Sequence, residues 1–202
     1  ASLCRRLSGS HGDVAKVAFM PQSIADVAEI LKGDIGGLAD VEHILCAMGN
    51  IGFASRVLAL RTGSMLAYAS LGELSELGHI SPRELVRTYR FRSQTKDFAL
   101  YGVTGWPLKS TLSPAIHNAE FAAADIDAVM VPMPCQSARE ALDFMKTLSM
   151  KAMAVTIPHK ESIMEFLDEV SPSAKKIGAV NTVVCENGRY VGYNTDCEGF
   201  GE

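Results

Sequence analysis

The chain has 202 residues, 48% of them hydrophobic, and a formal net charge of −4. That is enough apolar content for one large domain or two small ones, and the acidic balance without any Lys/Arg-rich block argues against nucleic acid or an anionic membrane as partner. No apolar run reaches the roughly 18–20 residues that span a bilayer, and the start Ala1-Ser2-Leu3-Cys4-Arg5-Arg6 has neither an initiator Met nor a signal-peptide core. The expectation is a cytoplasmic protein acting on a small molecule, cut from a longer polypeptide.

In the first half, residues 14–20, 44–48 and 65–69 read as short strands, separated by helical stretches at 23–31 and about 54–60. Strand and helix in alternation imply parallel strands with helical crossovers. Ser81, Pro82 and Glu84 spell a helix start, with N-cap, first-turn proline and capping-box acid, for a helix to about Phe91. Residues 92–98 then begin with a polar, aperiodic run and read as a linker. The expected domains are therefore 1–91 and 99–202.

After the linker, residues 99–103 read as a strand running into a loop with Gly102, Gly105 and Pro107, and Ser113-Pro114 as the start of a helix to about Ala124. A strand at 128–132, a helix at 137–148, a strand at 152–157 and a helix at 158–170 continue the αβ series. Residues 180–186 and 190–193, joined by Asn187-Gly188, predict a hairpin with a type I′ turn.

Lys160 stands out in this series, because Thr156 and Pro158 read as a helix start, with Ile163, Phe166, Leu167 and Val170 as its buried stripe. A cation in that first turn faces the positive end of the helix dipole. That setting suits a lysine for proton transfer if a carboxylate or anionic ligand compensates it, while a solvated lysine beside Glu161 is the plainer alternative. Lys16 shares one face of the first strand with Val14, Ala18 and Met20. Buried, its amine is a nucleophile able to form a Schiff base; on the solvent side of an edge strand it is an ordinary surface cation.

Arg56, after the loop Gly49-Asn50-Ile51-Gly52, suits bidentate recognition of a carboxylate, or is a surface arginine. Thr111 and Ser113 enter a helix, where hydroxyls and helix N–H groups hold a carboxylate, although Ser113 also fits as a plain N-cap. Asn181 begins a strand and can serve a polyol through its amide; Asp196 either caps a helix or compensates Lys160. Cys4, Cys46, Cys135, Cys185 and Cys197 are odd in number and contain no C-x-x-C pair, so neither a disulfide framework nor a metal site is expected.

Four motifs in order resemble shikimate dehydrogenase: Ser113-Pro114-Ala115-Ile116-His117-Asn118, Thr156-Ile157-Pro158-His159-Lys160, Gly178-Ala179-Val180-Asn181-Thr182 and Gly192-Tyr193-Asn194-Thr195-Asp196. The resemblance covers that family's substrate-binding domain from Ala99 onward. It implies that Lys160 and Asp196 are the catalytic pair, that Thr111 and Ser113 hold the substrate carboxylate, and that Thr156 and Asn181 surround the ring hydroxyls. The implied reaction is reduction of 3-dehydroshikimate to shikimate with NADPH, Lys160 giving or taking the proton.

The first half resembles the C-terminal part of type I 3-dehydroquinate dehydratase, a (β/α)8 barrel, through Lys16-Val17-Ala18-Phe19-Met20-Pro21-Gln22-Ser23 and Gly52-Phe53-Ala54-Ser55-Arg56. Lys16 then matches the Schiff-base lysine, Arg56 the carboxylate-binding arginine, and Ser75 and His79 the substrate-covering loop. Such an enzyme dehydrates 3-dehydroquinate through an imine with a histidine base, and its product is the substrate of the second half. The implied whole is α/β: the end of a barrel followed by an incomplete dehydrogenase substrate domain, with the Rossmann cofactor domain absent.

Several positions depart from these families. His79 stands where an amide is expected, Ala154 where an asparagine is common, and Thr111 where serine is usual. Three strands stand for the barrel's eight, His11 is too near the first strand to be the base, and no Gly-rich dinucleotide loop occurs before Glu202. NADP is thus expected to bind outside this chain, and the chain alone to be inactive in both reactions. A quinate or quinate/shikimate dehydrogenase is the nearest alternative, and a non-catalytic dehydrogenase-like binding module a more distant one. The oligomeric state is left open.

Overall fold

The computed structural model of the chain describes residues 7, 12–32, 38, 41–71, 78, 80–108 and 110–196. In the first half, strand β1 (Ala15–Phe19) buries Ala15 and Val17 on one face, and β2 (His43–Ala47), buried throughout, runs parallel to it with Lys16 opposite Ile44. The crossover carries helix α1 (Ile24–Leu31), whose buried Ile24, Val27, Ala28 and Leu31 recur at helical spacing. At its start the Asp26 carboxylate accepts from the Gln22 and Ser23 N–H groups at 2.8 and 3.2 Å. Helix α2 (Phe53–Val57) and a 3₁₀ turn (Ala59–Thr62) take the place of the single helix expected at 54–60. Gly52 is required before α2, since a Cβ there would lie 2.3 Å from the Ala47 carbonyl carbon.

Two expectations fail in this half. Residues 65–69 form no strand: Met65 N–H bonds the His43 carbonyl at 2.9 Å, but no ladder continues, and Met65, Leu66 and Tyr68 remain exposed. The helix expected to reach Phe91 is only α3 (Pro82–Arg87). Its N-cap and first-turn proline are as read, with the Ser81 hydroxyl accepting from Glu84 N–H at 3.1 Å, but the Glu84 side chain does not complete the expected capping box, and Arg90 adopts a left-handed φ of 53°, which a continuing helix does not accommodate.

The second half is built from β3 (Ala99–Gly105), α4 (Ser113–Ala123), β4 (Ala128–Pro134), α5 (Ala138–Thr147), β5 (Ala152–Val155), α6 (His159–Ser162), β6 (Glu169–Val170), α7 (Pro172–Ile177), β7 (Thr182–Glu186) and β8 (Arg189–Tyr193). They form one six-stranded sheet in the order β4-β3-β5-β7-β8-β6. Strands β4, β3 and β5 are parallel, β7 is antiparallel to both β5 and β8, and β6 is parallel to β8. The hairpin turn is as expected, Asn187 and Gly188 taking φ of 51° and 80°.

The long helix expected at 158–170 does not exist. One turn of α6 gives way to a 3₁₀ turn (Ile163–Phe166), and β6 follows. The cause is tertiary: Asp168 N–H bonds the Tyr190 carbonyl at 3.0 Å and Ser171 N–H the Gly192 carbonyl at 2.9 Å, so pairing with β8 displaces the helical ladder.

Strand β4 lies at a sheet edge, where unpaired backbone groups are a liability. Asn118 on α4 pairs those of Met130. Its amide donates to the Met130 carbonyl at 2.9 Å and accepts from Met130 N–H at 2.7 Å, with the side chain 1% exposed. This is what the last residue of the Ser113–Asn118 motif does.

One hydrophobic cluster runs through both halves, joining Ile24, Leu31, Leu58 and Ile80 to Leu100, Val131, Phe144 and Met145. Polar contacts cross as well: Ile24 N–H to Glu140 Oε1 at 3.1 Å and Arg90 Nη1 to the Ile126 carbonyl at 2.8 Å. Between the halves, residues 92–98 form neither helix nor strand, yet Phe98 is buried and Thr95 donates to the Asp127 carboxylate. Among the described residues no helix is long and apolar enough to cross a membrane, and no cluster of metal-ligating side chains occurs. Cys46, Cys135 and Cys185 are free thiols, and burial pushes the Cys135 thiol up to about 12; Cys4 and Cys197 lie outside the described residues. Replacing Asn118 by Ala leaves both Met130 edge groups unpaired and should cost about 1–3 kcal/mol in urea unfolding; an unchanged midpoint would show that the edge does not depend on Asn118.

Candidate active site at the strand ends

Parallel β3, β4 and β5 end at one edge of the large sheet, and the register of the antiparallel strands brings more of the chain there. Ala154 of β5 pairs with Thr182 at the start of β7, and Thr182 pairs with Tyr193 at the end of β8. The loops after β3, β5 and β8 and the residue before β7 therefore meet at the carboxyl edge, where open α/β sheets bind ligands. Backbone hydrogen bonds lock the segments together: Thr156 N–H to Thr104 O at 2.9 Å, Val155 N–H to Asn181 O at 2.7 Å, Asn181 N–H to Tyr193 O at 3.0 Å and Val180 N–H to Lys160 O at 2.8 Å. Gly105 permits this closeness, because a Cβ there would stand 2.6 Å from the Thr156 methyl and 2.8 Å from the Ile157 carbonyl.

Lys160 and Asp196 meet at this edge, Nζ to Oδ2, at 2.6 Å, with side chains 32% and 61% exposed. The Lys160 ammonium, with the Asn181 amide beside it, holds the Asp196 carboxyl below the usual aspartate range, against a smaller opposing effect of burial. The one-turn helix α6 supplies little dipole, so the reason expected for a special Lys160 is replaced by another: its carboxylate partner.

Asn181, Thr156, Thr111 and Ser113 fall at the same edge. The Asn181 amide oxygen accepts from Thr195 N–H at 3.1 Å and from the Thr182 hydroxyl at 3.0 Å, and its nitrogen donates to the Thr195 hydroxyl at 3.0 Å. Thr156 closes the turn into α6 by accepting from His159 N–H at 3.0 Å. Thr111 Oγ1 accepts from Ser113 N–H at 3.2 Å. Ser113 is not the expected N-cap: Leu112 occupies that position and Ser113 begins the helix.

Two supporting residues carried no assigned role in the sequence reading. Asn194, 5% exposed, donates to the Ala179 carbonyl at 2.9 Å and accepts from Asp196 N–H at 3.1 Å, which aims the Asp196 turn. His159, 3% exposed, donates through Nε2 to the Cys135 carbonyl at 2.8 Å and pins the residue next to Lys160. Both stood inside recognised motifs, but spacing gives no sign of which polar side chains turn inward.

Lys16 on β1 and Arg56 on α2 belong to the first half. Lys16 is exposed rather than buried, on the face that β1 leaves open, with Nζ 4.4 Å from the centroid of the Tyr68 ring. Arg56 is 3% exposed, and its Nη1 donates to the Ala47 carbonyl at 3.1 Å at the end of β2. Gly78, with φ of 64°, rests on the Gly49 carbonyl so closely that a Cβ would come within 2.3 Å of it. Ser75 and His79 lie outside the described residues.

The depressed Asp196 carboxyl fixes the sign of a pH effect. The contribution of the pair is complete above the unfolded aspartate value of about 3.9 and fades only as pH falls through the lower folded value. A carbon-13 NMR titration should find the Asp196 midpoint below that of ordinary aspartate, and Lys160→Ala should raise it; a midpoint unmoved by that substitution would mean the two groups do not pair in solution.

Residues 103–183 match the family described as shikimate dehydrogenase substrate binding domain, and residues 2–96 match type I 3-dehydroquinase. The chain is 34% identical over 201 residues to the chloroplastic bifunctional 3-dehydroquinate dehydratase/shikimate dehydrogenase of Arabidopsis thaliana, a span of 98% of this chain and 33% of that protein. It is 44% identical over 113 residues to the shikimate dehydrogenase (NADP(+)) of Carboxydothermus hydrogenoformans, 55% of this chain and 39% of the relative. Among solved structures, shikimate dehydrogenase from Aquifex aeolicus gives a TM-score of 0.51 at 44% identity, covering 52% of this chain and 41% of its own. Shikimate 5-dehydrogenase from Listeria monocytogenes, solved with shikimate and NAD, gives 0.52 at 31% identity, covering 54% and 38%. The chain spans a third to two fifths of the length of these curated relatives. In chain order, then, a segment similar to type I 3-dehydroquinase precedes a segment similar to the shikimate dehydrogenase substrate-binding domain, the pairing for which its Arabidopsis relative is named.

Proposed function

We propose that this chain is part of a bifunctional shikimate-pathway enzyme, in which 3-dehydroquinate is dehydrated to 3-dehydroshikimate and that ketone is reduced to shikimate. The observation that carries the reading is the Lys160–Asp196 contact of 2.6 Å at the sheet's carboxyl edge. Thr111 and Ser113, at the entry to α4, bind the substrate carboxylate; Thr156 and Asn181 bind the ring hydroxyls. Lys160 and Asp196 hold the oxygen of the reacting carbonyl. Reduction adds a hydride to carbon and a proton to oxygen, and in this assignment Lys160 gives the proton while the Asp196 carboxylate stabilises its charge.

NADP supplies the hydride when bound. Among the described residues no strand runs into a Gly-x-Gly-x-x-Gly turn, so the chain does not fit the cofactor's phosphates, and its binding residues are assigned to a domain outside this chain. In the first half we assign Lys16 as the Schiff-base lysine, Arg56 as the group for the substrate carboxylate, and Ser75 and His79 to the loop over the substrate. Residues 1–91 are then the end of a (β/α)8 barrel and residues 92–98 its junction to the dehydrogenase. The exposure of Lys16 fits a barrel interior whose remaining strands come from elsewhere in the full-length protein. The cytoplasmic assignment is likewise a proposal, and the Arabidopsis relative is named as chloroplastic.

In the full-length enzyme, Lys160→Ala should lower kcat for shikimate formation by about 10²–10⁴ with KM much less affected. A change in affinity alone would identify a binding module instead. Sodium borohydride added with 3-dehydroquinate should attach mass to the peptide carrying Lys16, and labelling of another lysine, or none, would remove it from the dehydratase mechanism.

A further inference from the structure

A cleft of about 420 Å³ opens at the edge of the large sheet opposite Lys160, lined by the first residues of β3, by Lys151 before β5 and by the junction between the halves. Its charge runs against the acidic average of the chain. Lys32, Arg61, Lys96 and Lys151 line it, with Asp97 as the acid among its lining residues. Lys32 is partly neutralised by Glu29 at 2.7 Å. Neither Lys96 nor Lys151 forms an ion pair among the described residues, and Arg61 forms none either.

Arg61 gives the cleft direction. Its Nη2 reaches across the junction to the Leu148 carbonyl at 2.9 Å, and its side chain lines the cleft. Burial works against the guanidinium charge, a cost that an anion beside it would offset. A single carboxylate uses only part of such a set. A phosphate group carries about −1.5 to −2 charges and three acceptor oxygens, and matches a guanidinium fork flanked by two free ammoniums.

We infer that this cleft is an anion site for a phosphate group, free or as an ester, built where the two halves meet and separate from the Lys160 edge. The inference rests on the cleft alone and is independent of the proposed reactions.

Calorimetry on the full-length protein, at constant ionic strength set with chloride, tests it with inorganic phosphate and with glycerol 3-phosphate as probes. Saturable binding is expected, weakened about tenfold or more by Lys96→Gln together with Lys151→Gln, two side chains without hydrogen bonds among the described residues. Arg61→Gln should weaken it further, with circular dichroism reporting whether the junction survives. Equal affinity for both probes would assign free phosphate, and tighter binding of the ester a phosphorylated metabolite. Non-saturable heats, or affinity unchanged in the double lysine variant, would overturn the site.

Discussion

The backbone of Asn181 is the constraint on which the candidate site depends. Its carbonyl accepts from Val155 at the end of β5, and its N–H donates to Tyr193 at the end of β8. Residues distant in sequence are thereby held within a few ångströms, and the neighbouring bond from Val180 to the Lys160 carbonyl draws α6 into the same register. Lys160 and Asp196 meet because their backbones are placed by strand pairing. The ion pair itself is more than half exposed on the Asp196 side, and exposed pairs contribute only about 0.2–1 kcal/mol. Its value is positional: an amine held at the carboxyl edge of the sheet with a carboxylate 2.6 Å away.

Polar side chains around the pair act mainly on backbone. Asn194 aims the Asp196 turn, His159 ties the start of α6 to the loop after β4, and Thr195 orients the Asn181 amide. Asn118 does similar work farther away by closing the β4 edge. The large sheet thus presents its carboxyl edge although β4, among the described residues, pairs with β3 alone.

The small sheet depends on a different arrangement. Strand β1 buries one face, where Ala15 and Val17 cluster with Leu38 and Leu45 and with Ile30 of α1 packed against them, and leaves Lys16 with Ala18 on the open face, while β2 is buried throughout. The shared core and the Arg61 contact to Leu148 couple the two halves mechanically as well as in sequence. A two-stranded sheet is marginal by itself, so this packing accounts for its order.

Local chemistry was legible wherever it acts over a few residues. Ser81 with Glu84, the Asn187-Gly188 turn and the strand–helix alternation of 99–157 all follow from short-range hydrogen bonding and periodicity, and the motifs around Lys160, Asn181 and Asp196 identified the candidate site. Long-range competition decided the rest. An apolar stripe at 163–170 fits a helix, but residues 168–171 gain more by pairing with β8; residues 65–69 have strand composition but only one bond to β2; and Ser113 looked like a cap until Leu112 took that position. Which polar side chains are buried, which strand lies at an edge, and what brings Lys160 to Asp196 are properties of the assembled sheet, because each is set by partners far away in the chain.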